Sequence, residues 1–182
     1  MRQVIFLKSV VSTQDYVKRN LSLSDKIVVV AERQTKGRGR GRRKWHSNKG
    51  GLWFSILLKD VQESEAKFLG MCAVLAVAKL LKKKGIGARV KWPNDVYADK
   101  KKICGVLIET VSEGEWMDAI VGVGLNVKND PPLRTATSMV EVTGKSFDLR
   151  LLLKQVVREF FKMRALYEKD ASVLYEVYEE FR

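Results

Sequence analysis

The segment of the sequence with the most potential for chemistry is a basic stretch rich in glycine. It spans residues 37–45 and reads Gly-Arg-Gly-Arg-Gly-Arg-Arg-Lys-Trp. Alternating glycines let a backbone approach a ligand closely, and arginine forks suit phosphates and carboxylates. The dinucleotide pattern G-x-G-x-x-G does not fit, because Arg42 occupies its third glycine position. The stretch therefore predicts either a loop that folds around an anion or a nucleic-acid-binding tract.

A second segment combines a lysine with the end of a predicted strand. Residues 89–95 read Arg-Val-Lys-Trp-Pro-Asn-Asp. Because proline stops the strand, we expect Lys91 to project a point charge at a sheet edge, where ligands often bind. Asn94 and Asp95 can cap backbone groups in the turn, and composition alone favours that structural role for them.

Cysteine and histidine usage limits the chemistry further. Cys72 and Cys104 lie in apolar stretches and form no C-x-x-C pair, so we expect buried, reduced thiols and neither a zinc site nor a disulfide. His46 is the only histidine, which removes sites that need a second one. The sequence also lacks the G-x-S-x-G nucleophile elbow.

Length and charge restrict the class of protein. The 182 residues, 46% of them hydrophobic, predict a single domain over 1–182. A net charge of +13 attracts anions and suits nucleic acid, ATP or an acidic protein equally well. The longest apolar stretch, residues 71–81, is far shorter than the roughly 20 residues of a membrane span. Without a signal-peptide pattern at the N-terminus, the sequence predicts a cytoplasmic protein with no membrane partner.

The elements that position these segments follow from periodicity and capping residues. Ser12 is predicted to cap a short helix, and a covered strand over 26–31 leads into a long polar loop over 33–51. The remaining predicted strands are 52–58, 88–92, 96–97, 103–111 and 116–126, with a hairpin turn at 112–115. The remaining predicted helices are 63–84, 149–167 and 172–181. Strands in the middle and helices at the ends predict an α+β fold with a mixed sheet covered by helices.

Four segments together resemble the biotin–protein ligase family. Residues 37–45 match its G-R-G-R-x-x-R-x-W loop at every specified position, and residues 91–95 match its K-W-P-N-D segment throughout. Lys-Lys-Ile-Cys-Gly-Val-Leu-Ile-Glu at 101–109 and Gly-Val-Gly-Leu-Asn at 122–126 follow in the family's order and spacing. The resemblance weakens after Asn126. It implies the biotin–lipoate ligase catalytic fold, a largely antiparallel mixed sheet similar to class II aminoacyl-tRNA synthetases.

The resemblance also implies an activity. The protein would be an ATP-dependent ligase that forms biotinyl-5′-AMP and transfers biotin to a lysine of the biotin carboxyl carrier protein of acetyl-CoA carboxylase. Magnesium would support the triphosphate, and no protein residue is assigned to it. Related ligases often form homodimers, so a homodimer is expected. Ser12-Thr13 matches the family's S-T-N segment, and because this segment begins so early we expect no N-terminal helix-turn-helix and no DNA partner. The family's small C-terminal β-barrel is also expected to be absent, because the chain ends before it.

Residue roles follow from the same resemblance. Lys91 and Arg40 would be catalytic, with Lys91 bridging the biotin carboxylate and the α-phosphate, and Asp95 is a candidate base. The implied biotin-binding residues are Ser12, Thr13, Gln14, Gln34, Gly37, Arg38, Gly39, Arg40, Lys91, Gly105 and Leu107. The implied ATP- or adenylate-binding residues are Arg38, Arg43, Trp45, Asn94 and Asn126. Gln14 departs from the pattern, since the family usually has Asn there.

Two alternatives stay open at this point. Lipoate–protein ligases share the implied fold and the acyl-adenylate strategy, although the G-R-G-R loop favours biotin. A basic nucleic-acid-binding domain would use the same loop and the lysine runs, and its binding would fall steeply with salt and ignore biotin.

Overall fold

A single seven-stranded sheet organises the chain in the computed structural model, which describes residues 3–112 and 116–182. The strands are β1 (Val4–Leu7), β2 (Val28–Ala31), β3 (Leu52–Gln62), β4 (Ala88–Lys91), β5 (Asp95–Ala98), β6 (Lys101–Ser112) and β7 (Trp116–Leu125). Their order across the sheet is β1-β2-β3-β7-β6-β5-β4. Only β1 and β2 pair in parallel among these neighbours, so the predicted mixed, largely antiparallel sheet is confirmed.

Helices cover the two faces of this sheet unequally. They are α1 (Thr13–Lys18), α2 (Glu63–Lys83), α3 (Met139–Thr143), α4 (Leu149–Lys169) and α5 (Ser172–Glu179). Helices α2, α4 and α5 share the larger apolar core with one face of the sheet. Helix α1 packs on the other face over a small cluster that includes Val29, Leu57 and Ile120. The pleat explains the division, because successive residues of a strand point to opposite faces.

Most sequence-based elements are confirmed within one to four residues at their ends. Ser12 caps α1 as predicted, its Oγ accepting the Asp15 backbone N–H at 3.4 Å. Strand β1 and helix α3 were not predicted: β1 has only four residues, and α3 (Met-Val-Glu-Val-Thr) has a β-branched composition typical of strands. The caps favour a helix over residues 139–143, because Ser138 accepts from the Glu141 N–H and Gly144 ends the helix at φ 67°.

The hairpin and the thiols also follow the sequence. Strands β6 and β7 pair in antiparallel register from Cys104 with Leu125 to Ser112 with Met117, whereas residues 113–115 of the predicted turn lie outside the described residues. Both cysteines are free and buried. Among the helices of the described segments, none has the length and apolar character needed to cross a bilayer.

Candidate active site

Glycines on β6 and β7 form the floor of a pocket on the face that carries α1. Gly105 pairs with Gly124, and Leu107 pairs with Gly122. A Cβ at Gly122 would lie 2.7 Å from Gln14 Cδ, and a Cβ at Gly124 would collide with the indole of Trp45. The missing side chains therefore leave the space that Gln14 and Trp45 occupy above the floor. The pocket that remains has a volume of about 50 Å³.

A buried polar network forms the wall beside α1. The backbone N–H and Oγ1 of Thr13 donate to Gln34 Oε1 at 2.8 and 3.1 Å. Gln34 Nε2 donates to Ser47 Oγ at 2.8 Å, and Gln14 Nε2 donates to the Leu107 carbonyl at 3.0 Å. Ser12, also buried, lines the same wall. These groups are held in place by one another, so they can present fixed donors and acceptors to a small polar ring.

The arginine loop, residues 37–45, folds back on itself as a short backbone hairpin. The Gly39 N–H donates to the Arg43 carbonyl at 2.7 Å, and the Trp45 N–H donates to the Gly37 carbonyl at 2.9 Å. The tip is a 3₁₀ turn over Arg40–Arg42, in which Gly41 has φ 61°. That left-handed conformation favours glycine. The predicted polar loop is thus an ordered element that places Trp45 over the pocket floor.

Two cations approach the pocket from the side of β5 and β6. Arg40 Nη1 donates to Asn94 Oδ1 at 3.1 Å. Lys102 Nζ lies 2.7 Å from Asp95 Oδ1 and 5.2 Å from the centroid of the Trp45 ring. Both side chains line the pocket. An anion at the pocket mouth would therefore meet Arg40 and Lys102 together.

Lys91 lies elsewhere, which corrects the placement expected from the sequence. Its Nζ lies 5.8 Å from the Tyr97 ring centroid, and it lines a separate groove with Trp92 and Tyr178. The cause is strand order: β5 separates the edge strand β4 from β6, and each neighbour adds about 4.8 Å. The structure does not bring Lys91 to Arg40. Lys102, which the sequence reasoning missed, occupies the position expected for it, and the signal available was a lysine three residues before Gly105.

A larger and more open groove continues from the pocket. Its volume is about 610 Å³, and it shares Gly39, Arg40, Trp45, Asn94 and Lys102 with the pocket. Arg43 and Lys44 add two further cations to its lining. The Trp45 Nε1 atom, at the junction, is buried and has no hydrogen-bond partner among the described residues. The geometry thus joins a small polar pocket to a larger basic groove.

Most predicted site residues converge, with exceptions beyond Lys91. Those lining the pocket are Ser12, Thr13, Gln14, Gln34, Arg38, Gly39, Arg40, Trp45, Asn94, Gly105 and Leu107. Gly37 lies behind them, where a Cβ would meet Ser47 Oγ and the Trp45 carbonyl at 2.5 Å. Asn126 is buried outside the pocket, its Oδ1 accepting from Asn129 Nδ2 at 2.9 Å. Gly37 and Asn126 therefore support the structure around the site and do not line the pocket.

Arg38 is held by two carboxylates that the sequence reasoning did not single out. Its guanidinium donates to Glu109 through Nη1 at 3.0 Å and through Nη2 at 2.5 Å. Nη2 also lies 2.8 Å from Asp15 Oδ1. The hydrogen bonds to Glu109, opposed by partial burial and aided by the charges of Glu109 and Asp15, raise the pKa of Arg38.

Carboxylates for a metal ion are scarce at this site. No group of three or more His, Cys, Asp or Glu side chains that could hold a metal occurs in residues 3–112 and 116–182. Asp95 is the only carboxylate lining the open groove within that part of the chain, and Lys102 neutralises it. The site therefore does not resemble an all-protein metal cage, although it leaves one carboxylate beside a polyphosphate-sized groove.

The fold and this site define a class of ligase. Residues 6–126 match the Biotin/lipoate A/B protein ligase family, and the chain belongs to that family. Among solved structures, "Biotin protein ligase from Aquifex aeolicus in complex with biotin and ATP" is similar with a TM-score of 0.80 and 36% identity, covering 93% of this chain and 73% of that one.

Curated relatives carry related names. "Bifunctional ligase/repressor BirA" of Bacillus subtilis is 34% identical over 145 residues, 74% of this chain and 45% of the relative. "Biotin--protein ligase 1, chloroplastic" of Arabidopsis thaliana is 32% identical over 168 residues, 88% of this chain and 46% of the relative. The chain spans about half the length of these curated relatives.

Proposed function

We propose that this protein activates biotin with ATP to form biotinyl-5′-AMP and passes the biotinyl group to a lysine of the biotin carboxyl carrier protein of acetyl-CoA carboxylase. One observation carries the proposal: a small polar pocket with a glycine floor opens, beneath Arg40 and Lys102, into a basic groove. A ligand with an uncharged polar head and an anionic tail suits the pocket, and a nucleotide suits the groove. The Aquifex aeolicus neighbour, described as a complex with biotin and ATP, supports the same pair of substrates.

The polar wall suits the ureido ring of biotin. Thr13, Gln34 and Gln14 provide hydroxyl and amide groups whose orientations the network fixes. The pocket volume of about 50 Å³ is far below the roughly 300 Å³ of an ordinary ligand pocket. Binding therefore requires Trp45 to move away from the glycine floor, and the arginine loop is the element that can carry it.

The first half-reaction brings two anions together. A biotin carboxylate oxygen forms a bond to the α-phosphorus of ATP, and pyrophosphate leaves with the electron pair of the broken P–O bond. Arg40 and Lys102 can offset the charge that develops, which is the role of preorganised electrostatic stabilisation. The placement of Lys102 beside Arg40 favours it over Lys91 for the bridging role. Asp95 is the residue that would lie beside a magnesium ion, which would offset the charge of the triphosphate.

The second half-reaction needs protection of the intermediate as well as catalysis. The neutral amine of the carrier lysine attacks the acyl carbonyl, AMP leaves, and the amine loses a proton to solvent or to Asp95. Because an acyl adenylate hydrolyses readily, the arginine loop and Trp45 would exclude water until the carrier arrives. The net charge of +13 would attract an acidic carrier domain.

A cytoplasmic location and a homodimer are also part of the proposal. Buried free thiols suit the reducing conditions of a cytoplasm. A homodimer is proposed because related ligases often form one, and the edge strands β1 and β4 offer surfaces on which two sheets can pair.

The test is direct. The protein is incubated with labelled biotin, ATP and magnesium, with and without a carboxylase carrier domain, and biotinyl adenylate and labelled carrier are measured. We expect adenylate in both arms and labelled carrier in one. A parallel arm with lipoate, and one with single-stranded nucleic acid at low and high salt, cover the alternatives. Absence of both biotinyl products would overturn the proposal.

A further inference from the structure

The ion-pair cluster of Arg38, Asp15 and Glu109 joins three elements at one side of the pocket. We propose that Asp15 and Glu109 are positioning residues that clasp the arginine loop over the pocket through Arg38, and thereby retain the acyl adenylate until the acceptor arrives. The role of the loop as a cover rests on the proposed function. The clasp itself rests on the geometry of three side chains.

The three side chains come from three separate parts of the chain. Arg38 belongs to the arginine loop, Asp15 to α1 and Glu109 to β6. Glu109 is two residues beyond Leu107 of the pocket floor, so both side chains point to the same face of the sheet. Asp15 follows the polar wall residues Thr13 and Gln14 directly. The cluster therefore ties the loop to both the wall and the floor.

The contact has the geometry of a strong ion pair. Two guanidinium nitrogens reach the two oxygens of Glu109 at 3.0 and 2.5 Å, which is the bidentate arrangement. Asp15 adds a third contact at 2.8 Å. The three side chains are between 21% and 37% exposed, so water screens them only in part. Networks with bidentate geometry are the surface ion pairs that do contribute measurable free energy.

The charges of the cluster argue against a phosphate on Arg38. Two carboxylates face one guanidinium, so the cluster carries a net charge of −1 inside a protein of net charge +13. An anion that approached Arg38 would have to displace Glu109 or be repelled by it. Arg40, by contrast, donates to a neutral acceptor, Asn94. We therefore assign Arg38 to holding the loop, and we assign the contacts with an anion to Arg40 and Lys102.

Two anchors of different strength hold the loop. The Arg38 cluster fixes its beginning with charged contacts, and the Arg40–Asn94 hydrogen bond fixes its tip with one neutral acceptor. The hairpin that these two contacts hold sets Trp45 above Gly105 and Gly124. Weakening the stronger anchor would let the hairpin swing as a unit while the remainder of the fold stays intact.

Limited proteolysis with trypsin detects this movement of the loop without any substrate. The loop contains trypsin cleavage sites after Arg40, Arg42, Arg43 and Lys44. We expect Glu109→Gln, and more weakly Asp15→Asn, to raise the rate of cleavage after residues 40–44 by roughly three- to tenfold. The melting temperature of both variants should stay close to that of the wild type. Mass spectrometry of the first fragments assigns the cleavage site.

The matched control removes an ion pair of the same kind far from the loop. Arg164 Nε lies 2.6 Å from Glu65 Oε1, between α4 and α2. Glu65→Gln should leave loop cleavage at the wild-type rate even if it lowers the melting temperature. Wild-type loop cleavage in both Glu109→Gln and Asp15→Asn would overturn the clasp, whether or not the protein proves to be a ligase.

The exchange Arg38→Glu with Glu109→Arg tests the assignment of Arg38 itself. It keeps one cation and two carboxylates in the cluster, so we expect loop protection to return. Single Glu109→Gln should release adenylate into solvent about three- to tenfold faster than wild type, with formation rate little changed. Loss of adenylate formation in the exchanged pair, with the loop protected, would show that Arg38 contacts the substrate. Protection without adenylate even in wild type would refute the proposed function and leave the clasp.

Discussion

The two faces of the sheet are built from the same strands but carry different side chains. Strand β7 directs Val121 and Val123 into the core beneath α2, and it directs the alternate residues Gly122 and Gly124 toward the pocket. One face gains free energy by filling space, and the other keeps space for a ligand. Substitutions on the covered face should therefore change stability, and substitutions on the pocket face should change binding and catalysis.

The largest expected effect tests the covered face. Leu75 of α2 is fully buried against the sheet, and Leu75→Ala should lower the free energy of unfolding by about 2–5 kcal/mol, because it leaves a cavity. Urea denaturation measures the loss. The KM for biotin should be unchanged wherever the variant remains folded. A changed KM with unchanged stability would mean that the two faces are not separable in this way.

The next effect compares two lysines. Lys102→Ala should lower the rate of biotinyl adenylate formation by about 100-fold, the scale on which loss of one transition-state contact is felt. Lys91→Ala, on the edge strand, should stay within about threefold of wild type. Single-turnover assays measure both rates. The reverse ranking would return Lys91 to the mechanism and contradict the placement argued from strand order.

The two lysines, Lys91 and Lys102, show a limit of prediction from the sequence. Local patterns identified α2, the β6–β7 pairing and the arginine loop, because periodicity, capping and glycine content are properties of neighbouring residues. The order of strands across the sheet is not such a property. Pairing of Asp95 with Gly105 puts β5 between Lys91 and the pocket, and that register depends on tertiary packing. The resemblance identified the segments that form the site. Only the fold shows that Lys102, and not Lys91, lies at the pocket.

The clasp shows the same limit for charged residues. Arg38 and Glu109 are 71 residues apart in sequence. Glu109 entered the sequence analysis only as the last residue of a matching segment, and no chemical role was predicted for it or for Asp15. On a charged surface most carboxylates are solvated, so composition gives no reason to select these two. The glycine floor was predicted only in part. Gly105 was expected in the pocket wall, whereas Gly122 and Gly124 were noted only as part of a segment that matches the family.

A smaller effect tests the glycine floor. Gly124→Ala places a methyl group on the pocket floor, against the Trp45 indole, so we expect the affinity for biotin to fall by about tenfold because the methyl group takes space that the ligand needs. Gly87→Ala is the matched control, because a Cβ there meets nothing within 4 Å. Equilibrium binding of biotin checks the result. An unchanged affinity in Gly124→Ala would mean that Trp45 yields freely and that the floor does not limit the pocket.

The smallest effect returns to the covered face and depends on pH. Glu159 is buried on α4, with Lys83 Nζ 2.7 Å and Lys162 Nζ 3.8 Å from its Oε1. Burial alone would raise the pKa of Glu159, but the hydrogen bond from Lys83 and the charges of Lys83, Lys162 and Arg158 outweigh it and lower the pKa. A carboxylate with a lowered folded-state pKa stabilises the fold above its unfolded pKa, and that contribution is lost as the pH falls through the folded value.

Replacement of Glu159 should therefore act only where the carboxylate is ionised. Glu159→Gln should cost about 1 kcal/mol of unfolding free energy at pH 7, a modest value because Lys83 is itself exposed. The difference from wild type should be complete above the unfolded-state pKa, shrink as the pH falls through the lower folded-state pKa, and vanish once the carboxylate is protonated in both states. Urea denaturation at several pH values measures it. A difference independent of pH would assign the loss to packing, whereas an altered pH profile of adenylate formation would couple the covered face to the pocket face.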